Sequence, residues 1–117
     1  MRRALAVLCA AAVLIPLVAC SGGGSASGVP VTMSNYRFRP VDLQISPGQA
    51  VTFTNTSQTL HNFTLINGGQ VAFDVPAAES VTTDELGDLG PGTYRFKCAY
   101  HLNQGMIGVL FIASSSP

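Results

Sequence analysis

From residue 31 onward, apolar and polar positions alternate in short runs, each closed by Gly, Pro or Asn. A period of two predicts strands. The runs are Val31–Arg39, Asp42–Ser46, Ala50–Asn55, Asn62–Ile66, Val71–Val75, Val81–Thr83, Thr93–Cys98 and Met106 or Ile107–Ala113. Pro47-Gly48, Asn67-Gly68-Gly69 and Gly90-Pro91-Gly92 are turn signals between them. Asp84–Leu89 reads as a helical turn or a loop. No repeat and no sustained helical period appears, so the expected fold is all-β, a sandwich or barrel of short strands.

The alternation also assigns faces. In Ala50–Asn55, Val51 and Phe53 share one face, and Thr52 and Thr54 the other. In Thr93–Cys98, Tyr94, Phe96 and Cys98 share a face, whereas Arg95 and Lys97 point away. Cys98 is thus presented inward, at the end of an apolar stripe.

The first residues follow a different pattern. Arg2 and Arg3 precede an apolar run, Ala4–Val18, that is short and Ala-rich for a membrane span. Leu17-Val-Ala-Cys20 then resembles a bacterial lipobox. The expected organisation is a lipoprotein signal peptide at 1–19, a lipidated Cys20 with a Gly/Ser tether at 20–29, and one domain at 30–117. The eight residues Ser21-Gly-Gly-Gly-Ser-Ala-Ser-Gly28 reach roughly 16 Å as a random coil, which keeps the domain near its membrane. The expected location is the outside of a bacterial membrane, in the cell envelope or periplasm, anchored through Cys20.

Charge excludes some partners. The chain holds six basic and six acidic residues, and loss of Arg2 and Arg3 with the signal leaves a net charge of −2. Nucleic acid is therefore not an expected partner. Beyond the N-terminal region, Cys98 is the only cysteine. An unpaired thiol in an exported protein marks a reactive group or a ligand, and a bound metal would shield it from oxidation.

The histidines decide between those two. The chain has two, His61 and His101, and three methionines, one of them Met106. Cys98-x2-His101-x4-Met106 spans one loop between two predicted strands, and His61 comes from elsewhere in the sheet. Two imidazoles, a thiolate and a weak thioether are the donors of blue copper electron-transfer sites. Structural zinc would want four Cys/His donors, and three are present. A catalytic zinc with Cys, two His and water would leave Met106 unexplained. A Cys-His-Asn nucleophile set can be assembled from Cys98, either histidine and Asn62, but so small a chain leaves little room for a substrate cleft.

With these residues in view, the chain resembles the cupredoxins, with a ligand loop of the plastocyanin and pseudoazurin type. The likeness covers most of 30–113. Phe38-Arg-Pro-Val-Asp-Leu-Gln-Ile-Ser-Pro-Gly-Gln-Ala-Val-Thr-Phe-Thr-Asn55 resembles the family's early strands, His61-Asn62 its first-ligand motif, and Gly92-Thr-Tyr-Arg-Phe-Lys-Cys98 its ligand-bearing strand. The resemblance implies a Greek-key β-sandwich of about eight strands with one copper ion, Cu(II)/Cu(I), near one end. It makes His61, Cys98 and His101 equatorial ligands and Met106 the axial one. It makes Asn62 the residue that ties the two ligand loops together. It also implies that the edge of His101 surfaces in an apolar patch that includes Leu60 and Leu102.

Departures from the family pattern carry information. Lys97 stands where plastocyanins have an aromatic residue, and Phe63-Thr-Leu-Ile-Asn-Gly-Gly69 lacks their acidic run. Tyr100 replaces the proline that many relatives place before the second histidine, restoring a backbone N–H that is expected to donate to the thiolate. A dinuclear copper centre would need a second cysteine in the loop, and multicopper oxidase chemistry many more histidines.

The expected function is a membrane-tethered, mononuclear type 1 copper protein, not an enzyme. It is expected as a monomer that passes single electrons between exported redox partner proteins. Two other functions are compatible with the sequence: a copper carrier or reservoir on the same fold, and a metal-free β-sandwich binding module.

Overall fold

The computed structural model describes residues 28–114. The signal peptide at 1–19, Cys20 and most of the tether lie outside the described residues. Among the described residues nine strands form: β1 Val29–Ser34, β2 Arg37–Arg39, β3 Asp42–Ile45, β4 Val51–Asn55, β5 His61–Leu65, β6 Ala72–Val75, β7 Ser80–Thr83, β8 Gly92–Lys97 and β9 Ile107–Ile112. Two short 3-10 turns, Glu85–Asp88 and Leu102–Gln104, join them. The strands build a sandwich of two sheets, ordered β2-β1-β4-β7 and β3-β9-β8-β5-β6, with the chain crossing between sheets in Greek-key fashion.

The predicted run Val31–Arg39 is two strands, not one. Ser34 pairs with Arg37 and Met33 with Phe38, so Asn35-Tyr36 is a two-residue hairpin loop. The physical reason is a parity break. Val31 and Met33 point inward at odd positions and Phe38 at an even one, and all three are fully buried. A single strand cannot bury both sets on one face. The other predicted strands appear with ends shifted by at most one residue. Asp84–Leu89 contains the first 3-10 turn, with Leu86 buried beneath it.

The core is a chain of phenylalanine rings between the sheets. Phe38 meets Phe96 edge-on at 4.8 Å, Phe96 meets Phe63 at 4.9 Å, and Phe63 continues to Phe53 at 5.1 Å. All four are completely buried. Gly108 lies directly opposite Phe96 in the β8–β9 pair, where a β-carbon would run into the Phe96 ring. These contacts fix β8 in depth and register, and β8 carries Cys98.

Two poles result. The chain enters at one, where the Val29 N–H donates to the Ala50 carbonyl. Strand β1 then runs six residues, roughly 20 Å at 3.3 Å per residue, to Asn35 at the other. The start of β5, the end of β8 and the start of β9 meet at that second pole.

Candidate metal centre

Each donor sits where a strand ends or begins. His61 opens β5, Cys98 follows the last residue of β8, His101 precedes the 3-10 turn Leu102–Gln104, and Met106 precedes β9. The loop between them closes on itself. The His101 N–H donates to the Cys98 carbonyl at 3.1 Å, the Cys98 N–H to the Met106 carbonyl at 3.0 Å, and the Met106 N–H to the His101 carbonyl at 3.3 Å. Gly105 ends the turn at φ 80°, a left-handed conformation that suits glycine.

The fold gathers His61, Cys98 and His101, whose donor atoms all lie within 4.8 Å of one another. Nδ1 of His101 is 3.4 Å from the Cys98 sulfur, and Nδ1 of His61 is 3.9 Å from it. Met106 is completely buried, held beside both Cys98 and His101 by its backbone. Cys98 and His61 are also fully buried, whereas His101 is half-buried. The sole cysteine, both histidines and one methionine of the described domain thus come to one pole.

Hydrogen bonds around the donors set their orientation. The Asn62 N–H donates to the Cys98 sulfur at 3.3 Å. The Asn62 side-chain oxygen accepts from the Ala99 N–H at 2.8 Å and from the Thr64 hydroxyl at 3.0 Å. Asn62 therefore clasps the ligand loop onto β5. The Tyr100 N–H, expected to donate to this sulfur, makes no such bond among the described residues; the backbone donor that reaches the sulfur is the Asn62 N–H of β5. The Tyr100 hydroxyl instead donates to Asp74 at 2.8 Å, which raises the phenol above its ordinary pKa and straps the loop to β6.

Two residues at this pole escape a sequence reading. The side-chain amide oxygen of Asn35, Oδ1, lies 3.0 Å from Nε2 of His61. An amide oxygen only accepts, so Nε2 carries the hydrogen and Nδ1 presents its lone pair to the cluster. Burial, and secondarily the nearby His101, hold the His61 imidazole below the usual histidine pKa, which favours the neutral ring a metal requires. Tyr36 packs on the His101 ring, with centroids 4.8 Å apart. The one available signal was the parity break, which marks Asn35-Tyr36 as a hairpin tip but does not say what the tip touches.

The donor chemistry fits copper. A buried thiol, two imidazoles aimed by Nδ1 and a buried thioether mix soft and intermediate donors. Among the described residues, no carboxylate joins the cluster. An all-β sandwich with this site at one pole defines the class of electron-transfer copper proteins.

The comparisons agree. Residues 6–109 match the Cupredoxin-like domain family. Plastocyanin of the fern Dryopteris crassirhizoma is 33% identical over 93 residues, covering 68% of this chain and 91% of that protein. Amicyanin-alpha of Methylorubrum extorquens is 32% identical over 108 residues, covering 85% and 91%. The solved oxidised form of the Dryopteris plastocyanin superposes with a TM-score of 0.60 at 25% identity, over 72% of this chain and 99% of that one. The chain belongs to the cupredoxin family, whose members bind one copper ion.

Proposed function

We propose that this protein is a membrane-tethered, type 1 copper electron carrier in which His61, Cys98 and His101 hold the metal and Met106 is the weak axial donor. The observation that carries the reading is the convergence of the His61, Cys98 and His101 donor atoms within 4.8 Å of one another, with Nδ1 of both histidines beside the buried sulfur. Bound copper would supply a Cu(II)/Cu(I) couple that gains or loses one electron. The residues supply the rest. Asn35 and Asn62 pin His61 and Cys98 from outside the cluster, so the donors change position little between the two states, which keeps reorganisation small. The β-sandwich keeps water from the sulfur. His101, the half-buried donor, gives the electron its way out. Tyr36 and Tyr100 lie beside the His101 ring, and Leu60 and Leu102, each next to a histidine in the chain, are exposed, the kind of apolar residues that meet another protein.

The same geometry favours electron transfer over copper delivery. The only other methionine in the described residues, Met33, is fully buried in β1 and its core packing. Among the described residues, no spare soft donor is exposed to hand the ion on. Copper in both oxidation states is expected to resist a competing chelator over hours, while small redox reagents oxidise and reduce the site within seconds. Ready passage of Cu(I) to an acceptor apoprotein, with slow redox turnover, would support the copper-carrier reading instead.

Met106→Leu is expected to keep the colour and raise the reduction potential, since losing a donor disfavours Cu(II). The swap nearly conserves volume, so the core tolerates it. Cyclic voltammetry of both proteins measures the shift. Loss of copper from the variant would show that Met106 is a principal ligand, not an axial one.

The anchor is a further part of the reading. Its support is Leu17-Val-Ala-Cys20 and a domain entered at the pole opposite the site. A tether there would leave the metal pole facing outward. Cys20→Ser is expected to release the protein to the soluble exported fraction or to block its processing, because stable anchoring takes more than one acyl chain. Mass spectrometry that finds wild-type protein soluble, with no lipid on Cys20, would refute the anchor.

A further inference from the structure

The outer side of the ligand loop borders a groove of about 560 Å³, whose walls include Tyr36, Arg37, Arg39, Val41, Gln104 and Ile107. One wall is β2, the outer strand of its sheet. The other is the end of the ligand loop and the start of β9. Arg37 and Arg39 flank the buried Phe38, so strand alternation sends both away from the core. Val41 and Ile107 are exposed apolar side chains, 50% and 41% accessible. Among the described residues, no carboxylate lines the groove.

Negative charge is placed elsewhere. Asp84, Glu85 and Asp88 sit at the 3-10 turn after β7, packed at the pole where β1 starts, since the Gly48 N–H donates to the Gly87 carbonyl. Asp74 and Glu79 belong to β6 and its connection to β7, at the opposite edges of the two sheets from β2 and β3. Asp42 follows Val41 in the chain but is not part of the groove wall. This separation steers an anionic surface toward the groove and away from the pole of entry. Tyr36 joins the groove to the metal centre, because it lines the one and packs on His101 in the other.

We propose that this groove docks an acidic electron-transfer protein. The partner's carboxylates meet Arg37 and Arg39, its apolar residues meet Val41 and Ile107, and Tyr36 is the contact between the partner and His101. The proposal rests on the electron-carrier reading and adds the partner's charge and its place of contact.

Three measurements test it. On metal-free protein, the paramagnetic anion hexacyanochromate(III) is expected to broaden the amide signals of Arg37, Arg39, Gln104 and Gly105. Broadening centred on Arg95 and Lys97, or spread evenly, would overturn the proposal. On reduced copper protein, one electron passes to hexacyanoferrate(III), giving hexacyanoferrate(II) and the Cu(II) form. The double variant Arg37→Glu with Arg39→Glu is expected to slow this about tenfold or more at low ionic strength, with the difference vanishing at roughly 0.5 M salt. The cationic oxidant tris(phenanthroline)cobalt(III) should react at least as fast with the variant as with the wild type. Arg37→Gln with Arg39→Gln should show a smaller slowing, guarding against misfolding of the reversed variant. An unchanged rate in both variants overturns the proposal but leaves the carrier reading intact. A wild-type protein that binds no copper, or exchanges electrons with neither reagent, overturns the carrier reading itself. Finally, polyglutamate is expected to inhibit the hexacyanoferrate reaction more than phosphate at matched ionic strength. Equal inhibition would make the groove a small-anion site and refute protein docking.

Discussion

Cys98→Ser is expected to leave a folded protein with no visible colour and with copper affinity lowered by more than about a hundredfold, beyond the range typical of losing an outer partner. The colour of such a centre comes from charge transfer between thiolate and Cu(II), and a serine hydroxyl is not ionised near neutral pH. The fold should survive because the substitution is nearly isosteric and the hydroxyl can still accept from the Asn62 N–H that now meets the sulfur. The Cys98 N–H bond to the Met106 carbonyl involves backbone alone and is untouched. Visible absorption and copper titration of both proteins make the measurement, with circular dichroism as the check on folding. A wild-type protein that binds one Cu(II) without colour, or a variant that keeps the colour, would overturn the blue copper reading.

Phe96→Ala is expected to cost about 3–5 kcal/mol of folding stability, the usual range for emptying a buried phenylalanine site. That is a large share of the roughly 5–15 kcal/mol that small domains possess. Phe96 is completely buried, meets Phe38 and Phe63 at 4.8 and 4.9 Å, and covers Gly108 on the neighbouring strand. Gly108 cannot swing a side chain into the void, so little relaxation is available. The metal-free protein should unfold at a urea concentration lower by roughly 2 M. Phe111→Ala is the control. Phe111 lies on β9 but is 46% exposed, so its removal should cost under about 1 kcal/mol. Because Phe96 lies two residues before Cys98 on the same face, the Phe96 variant should also bind copper less tightly. Equal effects of the two substitutions would show that the phenylalanine chain is not the centre of the core.

The reading of the strands succeeded where burial and alternation coincide. Val51 and Phe53, and then Phe96 and Cys98, are buried at alternate positions as the pattern requires. It failed at Val31–Arg39 because both halves are apolar enough to count as strand. Only the change of parity betrays the hairpin between them. The 3-10 turn Leu102–Gln104 was also missed, since three polar-flanked residues carry no periodic signal. Tyr100 in place of proline shows in the sequence as an added backbone N–H, but the N–H that bonds the sulfur belongs to Asn62. A sequence shows that an N–H is present near the sulfur, not which of two neighbouring N–H groups the loop will aim at it.

The donor residues were legible for a chemical reason. Cysteine, histidine and methionine are few in this chain, and they are the types that type 1 copper sites draw on, so listing them comes close to naming the candidate site. Period-two alternation likewise determined the all-β class, since a strand's faces are set by its own residues. Tertiary structure alone decided the arrangement that makes the donors a site. Asn35 is 26 positions from the His61 nitrogen it holds, and Asn62 is 36 from the sulfur it bonds. Such contacts depend on which strands become neighbours and in what register. That is settled by the joint packing of both sheets around Phe38, Phe96, Phe63 and Phe53, and no local pattern records it.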